Sequence, residues 1–461
     1  MLDEVSDTRL QAMLKRHIST LSPETRTKLK GQLYCGSQVV HQSGALPAVF
    51  VVSNGEKSKL FGLRHCHSPW ACPKCSAVVM AQKGRDIACA IDALLKWHNE
   101  AAFMVTFTLP HTKGMSAEET LAILEKTWHM FKKAGNTRGT KQYYTLRTDK
   151  NSNDRRARGT KGETRTYIKG NDPFGDFRET FKVKHFVRVY EFTWGENSWH
   201  PHIHVIFWTP RQNLQKVGEY EDRLNERWWT CAKRAATQIF DKNHPDDKES
   251  NRQRVNKLYA DWKKSHKSVT FSRDRATGQI RQQKSSNYIS GWSGDFEVAG
   301  GSIKTANNGH YSPHQLLTAA FETDDAKKRK KFLDLFVEYA LATKGHRRVN
   351  FSARSGIIPI IRKWKTTESY TELLKKKFMD KATAQWKVVC WFSEQQWWSI
   401  CWIESTTDQN IKPKILEFAR LPDAKQLIEN YIREFDIDIS DNGTHHLEEL
   451  VGRLYNESLI A

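Results

Sequence analysis

The stretch Trp199-His200-Pro201-His202-Ile203-His204-Val205-Ile206-Phe207-Trp208 places histidine at every second position and large apolar residues between them. A period of two is the signature of a β-strand, whose side chains alternate between faces. His200, His202 and His204 then share one face, while Ile203, Val205 and Phe207 point to the other. Imidazoles two residues apart on a strand stand roughly 6.6 Å apart at Cα. At that spacing they can converge on one divalent ion, and neutral imidazole is the commonest protein metal ligand. A lone histidine on a wet sheet face implies nothing of the kind; three in alternation against an apolar reverse face favour metal binding.

The preceding segment, His185-Phe186-Val187-Arg188-Val189-Tyr190-Glu191-Phe192-Thr193-Trp194, is rich in β-branched and aromatic residues. A short Gly/Glu/Asn/Ser connection joins it to the histidine strand, which reads as a β-hairpin. Folding at Gly195–Trp199 brings Glu191 opposite or diagonal to His202 and His204. A carboxylate there is a third candidate ligand and leaves coordination positions open for substrate.

At these residues the chain resembles the His-hydrophobic-His (HUH) superfamily of rolling-circle replication initiators, the plasmid Rep-protein type. Two further stretches support the resemblance: Phe103-Met104-Val105-Thr106-Phe107-Thr108-Leu109-Pro110-His111, similar to the first strand motif, and Glu338-Tyr339-Ala340-Leu341-Ala342-Thr343-Lys344-Gly345-His346-Arg347-Arg348, similar to a segment following the nuclease core. The resemblance covers roughly residues 35 to 355. It implies an RRM-like or ferredoxin-like antiparallel sheet, flanked by helices, in an α+β protein. It also implies a catalytic Mg²⁺ or Mn²⁺ held by Glu191, His202 and His204, and a single nucleophilic tyrosine after the histidine hairpin. Tyr288 is the tyrosine between Tyr259 and Tyr311 and fits that place; Tyr259 is the reserve. A phenol has a reference pKa near ~10 and needs help to attack. Two positions depart from the family pattern: Gly291 stands where relatives carry Lys, and Lys284 where some carry Glu, so no base for a closing step is evident.

The implied reaction is sequence-specific nicking and joining of single-stranded or hairpin origin DNA through a 5′-phosphotyrosine link, starting rolling-circle replication of a mobile element. A helicase and a DNA polymerase, from host or element, are the expected partners, because no phosphate-binding Gly-x-x-x-x-Gly-Lys-Ser/Thr loop is present. The rival readings are a non-catalytic zinc-dependent DNA-binding protein, or the same chemistry in an HUH transposase or relaxase.

Charge agrees with a polyanionic partner. Lys and Arg number 73 against 52 Asp and Glu, a formal net charge of +21, as expected for a nucleic-acid binder. No apolar run approaches transmembrane length, and Met1-Leu2-Asp3-Glu4-Val5-Ser6-Asp7 lacks a basic-then-apolar leader pattern. The expectation is a cytoplasmic protein without membrane partners, whose eight cysteines stay reduced.

Four of those cysteines lie between residues 35 and 75. Cys72-Pro73-Lys74-Cys75 is a knuckle that lets two thiolates grip one tetrahedral Zn²⁺. Cys66 is the third candidate ligand and Cys35, across an expected β-hairpin, the fourth; His41, His65 or His67 can replace any one. Three regions follow: an arm and zinc-binding module over residues 1–98, the nuclease-like domain over 99–355, and a mostly helical accessory domain over 356–461.

Within the second region Phe103–Leu109 is a predicted strand. Ser116-Ala117-Glu118-Glu119 is a capping box opening a helix with Leu121, Leu124, Trp128 and Phe131 on one face. Residues 137–171 hold ten Lys or Arg against three Asp or Glu and read as a mobile basic insertion. There Arg155, Arg156 and Arg158 are candidate DNA contacts, as are Lys284, Lys344, Arg347 and Arg348 elsewhere. Asn213–Phe240 reads as a long helix, and residues 241–266 as strongly polar chain without an assigned element. Asp324–Thr343 is a predicted helix carrying the basic run Lys327-Lys328-Arg329-Lys330-Lys331. In the last region Val388–Phe392 is strand-like, and Ser393 caps a helix bearing Trp397, Trp398 and Trp402. Trp residues at such spacing are more often core than base-stacking surface.

Overall fold

The computed structural model describes residues 7–40, 48–56, 58–133, 143–145, 163–165, 172–285, 310–352, 355–368, 387–407, 409 and 411–437. It is a mixed α+β protein with antiparallel sheets and flanking helices. In chain order the elements are α1 (Asp7–Ser19), α2 (Pro23–Lys28), α3 (Lys30–Tyr34), β1 (Ala48–Ser53), β2 (Ser58–Phe61), α4 (Pro73–His98), β3 (Glu100–Thr108) and α5 (Ala117–Lys132). Next come β4 (Tyr143–Thr145), β5 (Glu163–Arg165), α6 (Pro173–Thr180), β6 (Phe186–Gly195), β7 (Ser198–Pro210), α7 (Glu221–Asn243), α8 (Lys248–Ser265) and β8 (Val269–Phe271). The last are α9 (Pro313–Glu322), α10 (Ala326–Ala342), β9 (Val349–Phe351), α11 (Ile357–Lys365), β10 (Lys387–Ser393), α12 (Glu394–Thr406), α13 (Ile411–Phe418) and α14 (Ala424–Arg433).

Contacts divide the chain into two units. The first comprises residues 1–89, 288–348 and 361–461, and the second residues 90–287 and 349–360. The sequence places its divisions at residues 98 and 355; the units are instead assembled from separated stretches. In the first unit β1 pairs antiparallel with both β2 and β10. A strand near residue 390 thus completes a sheet begun near residue 50. Its reason is apolar: Val49, Val51, Phe392, Trp397, Ile400, Ile415, Ile428 and Ile432 are buried in one cluster. The last region is mostly helical around this one strand. Gly62 takes φ 84°, and a side chain there would run into the carbonyl oxygen of Ala48, so glycine is required where the chain turns back toward the cysteines.

The second unit is built on a five-stranded sheet in the order β8-β3-β7-β6-β9. The β6–β7 register is Glu191 against His202 and Val189 against His204, closing at Gly195 against Ser198. Ser198 adopts φ 78°, a left-handed conformation that hairpin loops often need, and its hydroxyl donates to the Met115 carbonyl at 2.8 Å. On the reverse face Phe107, fully buried, meets Trp128 and Phe131 of α5 and Trp228 of α7 at ring separations of 5.5, 5.3 and 4.9 Å. Removing one such ring from water contributes ~2–3 kcal/mol. The predicted capping box at Ser116 is formed.

Two elements differ from expectation. The predicted helix over Asn213–Phe240 begins at Glu221, after two 3₁₀ turns; Gly218 there packs against the Arg273 guanidinium, leaving little room for a side chain. The polar chain after residue 241 forms α8, because Asn251, Val255 and Tyr259 are buried and Leu258 and Trp262 half-buried along one side of the helix. Part of the basic insertion pairs as a two-stranded ribbon, β4 with β5.

Candidate metal centre and the sheet-face site

The second unit positions the histidines as alternation requires. β7 is central, with β3 and β6 on either side. Thr108 pairs in register with His202 and Thr106 with His204. Their hydroxyls lie 3.0 Å from His202 Nδ1 and 3.0 Å from His204 Nδ1. Each ring is therefore held by its Nδ1 edge, so that Nε2 is the nitrogen that could ligate an ion. Threonine hydroxyls in that place orient the rings as outer partners of a metal site do. Glu191 faces His202 in register, and its carboxylate reaches diagonally to His204, with Oε2 2.5 Å from Nε2.

Glu191 is 5% and His204 7% exposed, while His202 is half-buried. Such a carboxylate–imidazole contact in low dielectric is strong, and it is also where a cation would insert. The rings of His202 and His204 are 6.3 Å apart and inclined by 22°, so both present the same edge to one side. His200 continues the row toward His111, its ring centroid 3.5 Å away. His111, beyond the end of β3, in turn meets Trp262 of α8 at 5.1 Å. Spacing on β7 alone gave no sign of His111 as a neighbour, although it lies in the stretch Phe103–His111 already set apart. The donor set of one carboxylate and two imidazoles suits a divalent ion with open positions.

Tyr288 lies outside the described residues, as do Arg155, Arg156 and Arg158. Tyr259 is 4% exposed and meets Trp229 edge to face at 5.5 Å, and burial raises its phenol above the usual range. It is thus poorly placed as a nucleophile. Lys284, Lys344 and Arg347 are exposed. The expectation of a surface phosphate contact fails for Arg348, which is 2% exposed. Its guanidinium donates to the Pro69 carbonyl at 2.9 Å and covers the Trp70 ring at 5.2 Å, so it braces the first unit from inside. Of the tryptophans on α12, Trp397 is core, but Trp398 and Trp402 are exposed.

The first unit gathers Cys35, Cys66, Cys72 and Cys75 with all four sulfurs within 4.8 Å of one another. Among the described residues no other such group of three or more ligand atoms is drawn this close; the sheet-face trio is more open. Local chain geometry explains the gathering. Cys35 ends α3, and the backbone after it pairs with the strand end before Cys66: Gly36 N donates to Arg64 O, Arg64 N to Gln38 O and Val40 N to Gly62 O. Cys72 immediately precedes α4 and Cys75 sits in its first turn, where Cys75 N donates to the Cys72 sulfur at 3.4 Å.

Cys35 Sγ is 3.4 Å from Cys75 Sγ and 3.5 Å from Cys72 Sγ. Zinc bonds of ~2.3 Å in a tetrahedron set sulfurs ~3.8 Å apart, so the quartet needs only slight expansion to hold the ion. From α1, Gln11 Nε2 donates to the Cys72 sulfur at 3.5 Å, and Lys15 Nζ to the Cys35 carbonyl at 2.6 Å. Hydrogen bonding to Cys35 raises the Cys66 and Cys72 thiols, as expected when several sulfurs share one pocket and cannot all ionise without a cation. His65 Nδ1 stands 3.8 Å from Cys35 Sγ, outside the four-sulfur set. The fit is to a closed metal site such as a structural zinc.

The chain is similar to a protein named Protein rep from Streptomyces lividans, 26% identical over 325 residues. The aligned part is 64% of this chain and 63% of that protein, so the chain spans less than two thirds of its relative's length. No family model and no solved structure matches the chain. No helix among the described residues is long and apolar enough to cross a membrane.

Proposed function

We propose that the chain is a DNA replication initiator that nicks and rejoins single-stranded or hairpin origin DNA of a mobile element. The observation that carries this reading is the sheet-face trio, with Glu191 and His204 in contact and both histidine rings anchored at Nδ1 by Thr106 and Thr108. Similarity to a protein named Protein rep supports it, as does the +21 net charge.

In this reading Glu191, His202 and His204 hold Mg²⁺ or Mn²⁺. Bound there, the ion supplies positive charge that polarises the scissile phosphate. The threonine hydroxyls keep both Nε2 atoms directed at it. The Tyr288 hydroxyl gives up its proton as its oxygen bonds to phosphorus, the bond from phosphorus to the 3′ oxygen breaks, and that oxygen takes up a proton, so the net exchange conserves both the ester bond and the proton count. The products are a 5′-phosphotyrosine and a free 3′-OH able to prime a polymerase, with a helicase supplied separately. The bond energy stays in the link, so the step reverses and permits joining. The cysteine quartet holds Zn²⁺ as a structural ion, and Lys284, Lys344 and Arg347 contact DNA phosphates.

The test is incubation with single-stranded origin oligonucleotides and Mn²⁺, read by denaturing gel shift. The wild type is expected to form a covalent adduct. Tyr288→Phe is expected to bind the oligonucleotide and form none. Adduct formation by that variant would move the nucleophile elsewhere. Absence of any adduct with every divalent ion would favour a non-catalytic DNA-binding protein, in which the Glu191–His204 contact is simply a buried polar pair.

A further inference from the structure

The amino-terminal half of α10 is built against its own stability. Residues 326–331, Ala-Lys-Lys-Arg-Lys-Lys, are all exposed, and no acidic residue falls between Asp325 and Asp334. Cations at this end oppose the positive pole of the helix dipole. Lys327 and Lys331, one turn apart, repel each other, as do Lys328 and Lys331. Compensation is partial. Asp325 caps the helix by accepting from the backbone of Lys327 and Lys328, and Lys330 pairs with Asp334 at 2.6 Å. Asp334 is shared with His17 of α1 at 3.1 Å. Lys327 and Lys328 make no ion pair among the described residues.

Arg329 serves the scaffold rather than the surface. Its Nε donates to the Ala320 carbonyl at 3.2 Å and its terminal nitrogen to the Thr323 carbonyl at 2.7 Å. It thereby ties α10 to the end of α9 across the three-residue turn Thr323–Asp325. The second half of the helix is anchored by buried Leu333, Phe336, Val337, Tyr339 and Ala340. A rigidly held helix therefore projects its lysines from a fixed base. Lys327, Lys330 and Lys331 border a shallow depression that also takes in Asp334, Leu335 and Glu338. No aromatic side chain lies among the exposed residues 326–331, so the surface suits phosphates and lacks the rings on which single-stranded bases stack.

We propose that Lys327, Lys328 and Lys331 of α10 form a docking surface for the phosphate backbone of double-stranded DNA, separate from the sheet-face site that would cut a single strand. A row of phosphates relieves the dipole conflict at Lys327 and Lys328, which pair with no acidic side chain among the described residues, and eases the repulsion along the helix. The choice of DNA as the polyanion rests on the function proposed above; the charge argument does not.

The experiment uses the full chain and a fluorescein-labelled duplex of arbitrary sequence, with anisotropy read over a range of KCl concentrations. For K327Q/K328Q/K331Q, affinity at 0.1 M salt is expected to fall roughly a hundredfold, and the log–log salt slope to lose about 2.7 units, from ~0.9 per phosphate contact. Its melting temperature is expected to hold or to rise by about 1–3 °C as repulsion is removed. K327R/K328R/K331R, which keeps the charge, is expected to bind as the wild type does, and guards against a folding defect. Unchanged affinity and slope in the glutamine variant would overturn the proposal. So would polyglutamate displacing the duplex at equal charge concentration, since the surface would then fit an acidic polypeptide. The glutamine variant is expected to retain adduct formation on single strands. If it does so with duplex binding unchanged, this proposal alone fails. If the wild type binds duplex with the stated slope but never forms an adduct, the nicking reading fails and this one stands.

Discussion

The cysteine quartet of the first unit and the sheet-face trio of the second both assemble metal-ligating side chains, but in opposite ways. The quartet is closed: four sulfurs within 4.8 Å, Cys35, Cys72 and Cys75 buried, with donors from the backbone and Gln11 directed at sulfur. The trio is open: three candidate ligands from adjacent strands, with His202 half-buried and the two imidazole planes inclined by 22°. Structural metal sites fill all coordination positions with protein atoms, whereas catalytic ones leave positions for substrate. The difference also shows in what each site does for folding. The quartet ties α3, the strand end at Cys66 and α4 together where little apolar core is at hand. The trio sits on a sheet already secured from behind by Phe107, Trp128 and Trp228.

Substitutions at each site test that contrast. The largest effect is expected from Cys72→Ser. It should release zinc, measured by a chromogenic chelator, and lower the melting temperature by on the order of 10 °C, because structural metal binding is itself folding free energy. Retained stability without zinc would show that the quartet is not the keystone of its unit. Glu191→Gln should do the reverse. It preserves a hydrogen bond to His204, so melting should shift by only about 2 °C, while Mn²⁺ affinity measured by calorimetry falls by at least about tenfold. Equal Mn²⁺ binding would remove Glu191 from the ligand set. Thr106→Val with Thr108→Val tests the ring anchors more finely. A loss of about 10–100-fold in Mn²⁺ affinity is expected, and an unchanged value would mean that the strand backbone alone orients the rings.

Acid probes the second unit away from the sheet-face trio. Burial lowers His185 in the second unit to about 4 from the usual 6.5, and its Nδ1 is buried without a hydrogen-bond partner. The unfolded chain therefore binds the extra proton first. The stability this group contributes is complete above pH 6.5 and is lost as pH falls through about 4. After a discount for partial solvent access, it is worth about 2 kcal/mol. His185→Phe should flatten denaturant midpoints between those two values; an unaltered pH profile would place the acid sensitivity elsewhere.

Much of both sites is local in origin and therefore readable in the chain. Histidine at alternate positions beside Ile203, Val205 and Phe207 can sit on a sheet in one way, because shifting a strand by one residue exchanges its faces. The Cys72–Cys75 spacing places two sulfurs on one helical turn. Ser116 and Ser393 announce their helices through capping chemistry that involves three neighbouring residues. Elements whose partners lie far away were less legible. The burial of Val255 and Tyr259 turned a polar segment into α8, and hydropathy along residues 241–266 carries little trace of it.

What the amino-acid order determined by itself was the set of chemical groups and the face on which each stands, since strand alternation and helical turns act over a few residues. Tertiary structure alone decided that Glu191 reaches diagonally to His204, that Arg348 braces Pro69 and Trp70 from within, and that β10 closes the sheet of β1. Those outcomes depend on side-chain packing and strand pairing between segments up to hundreds of residues apart. There the free energy comes from excluding water from shared apolar surface and satisfying buried polar atoms, and no local pattern encodes which distant partner will do so.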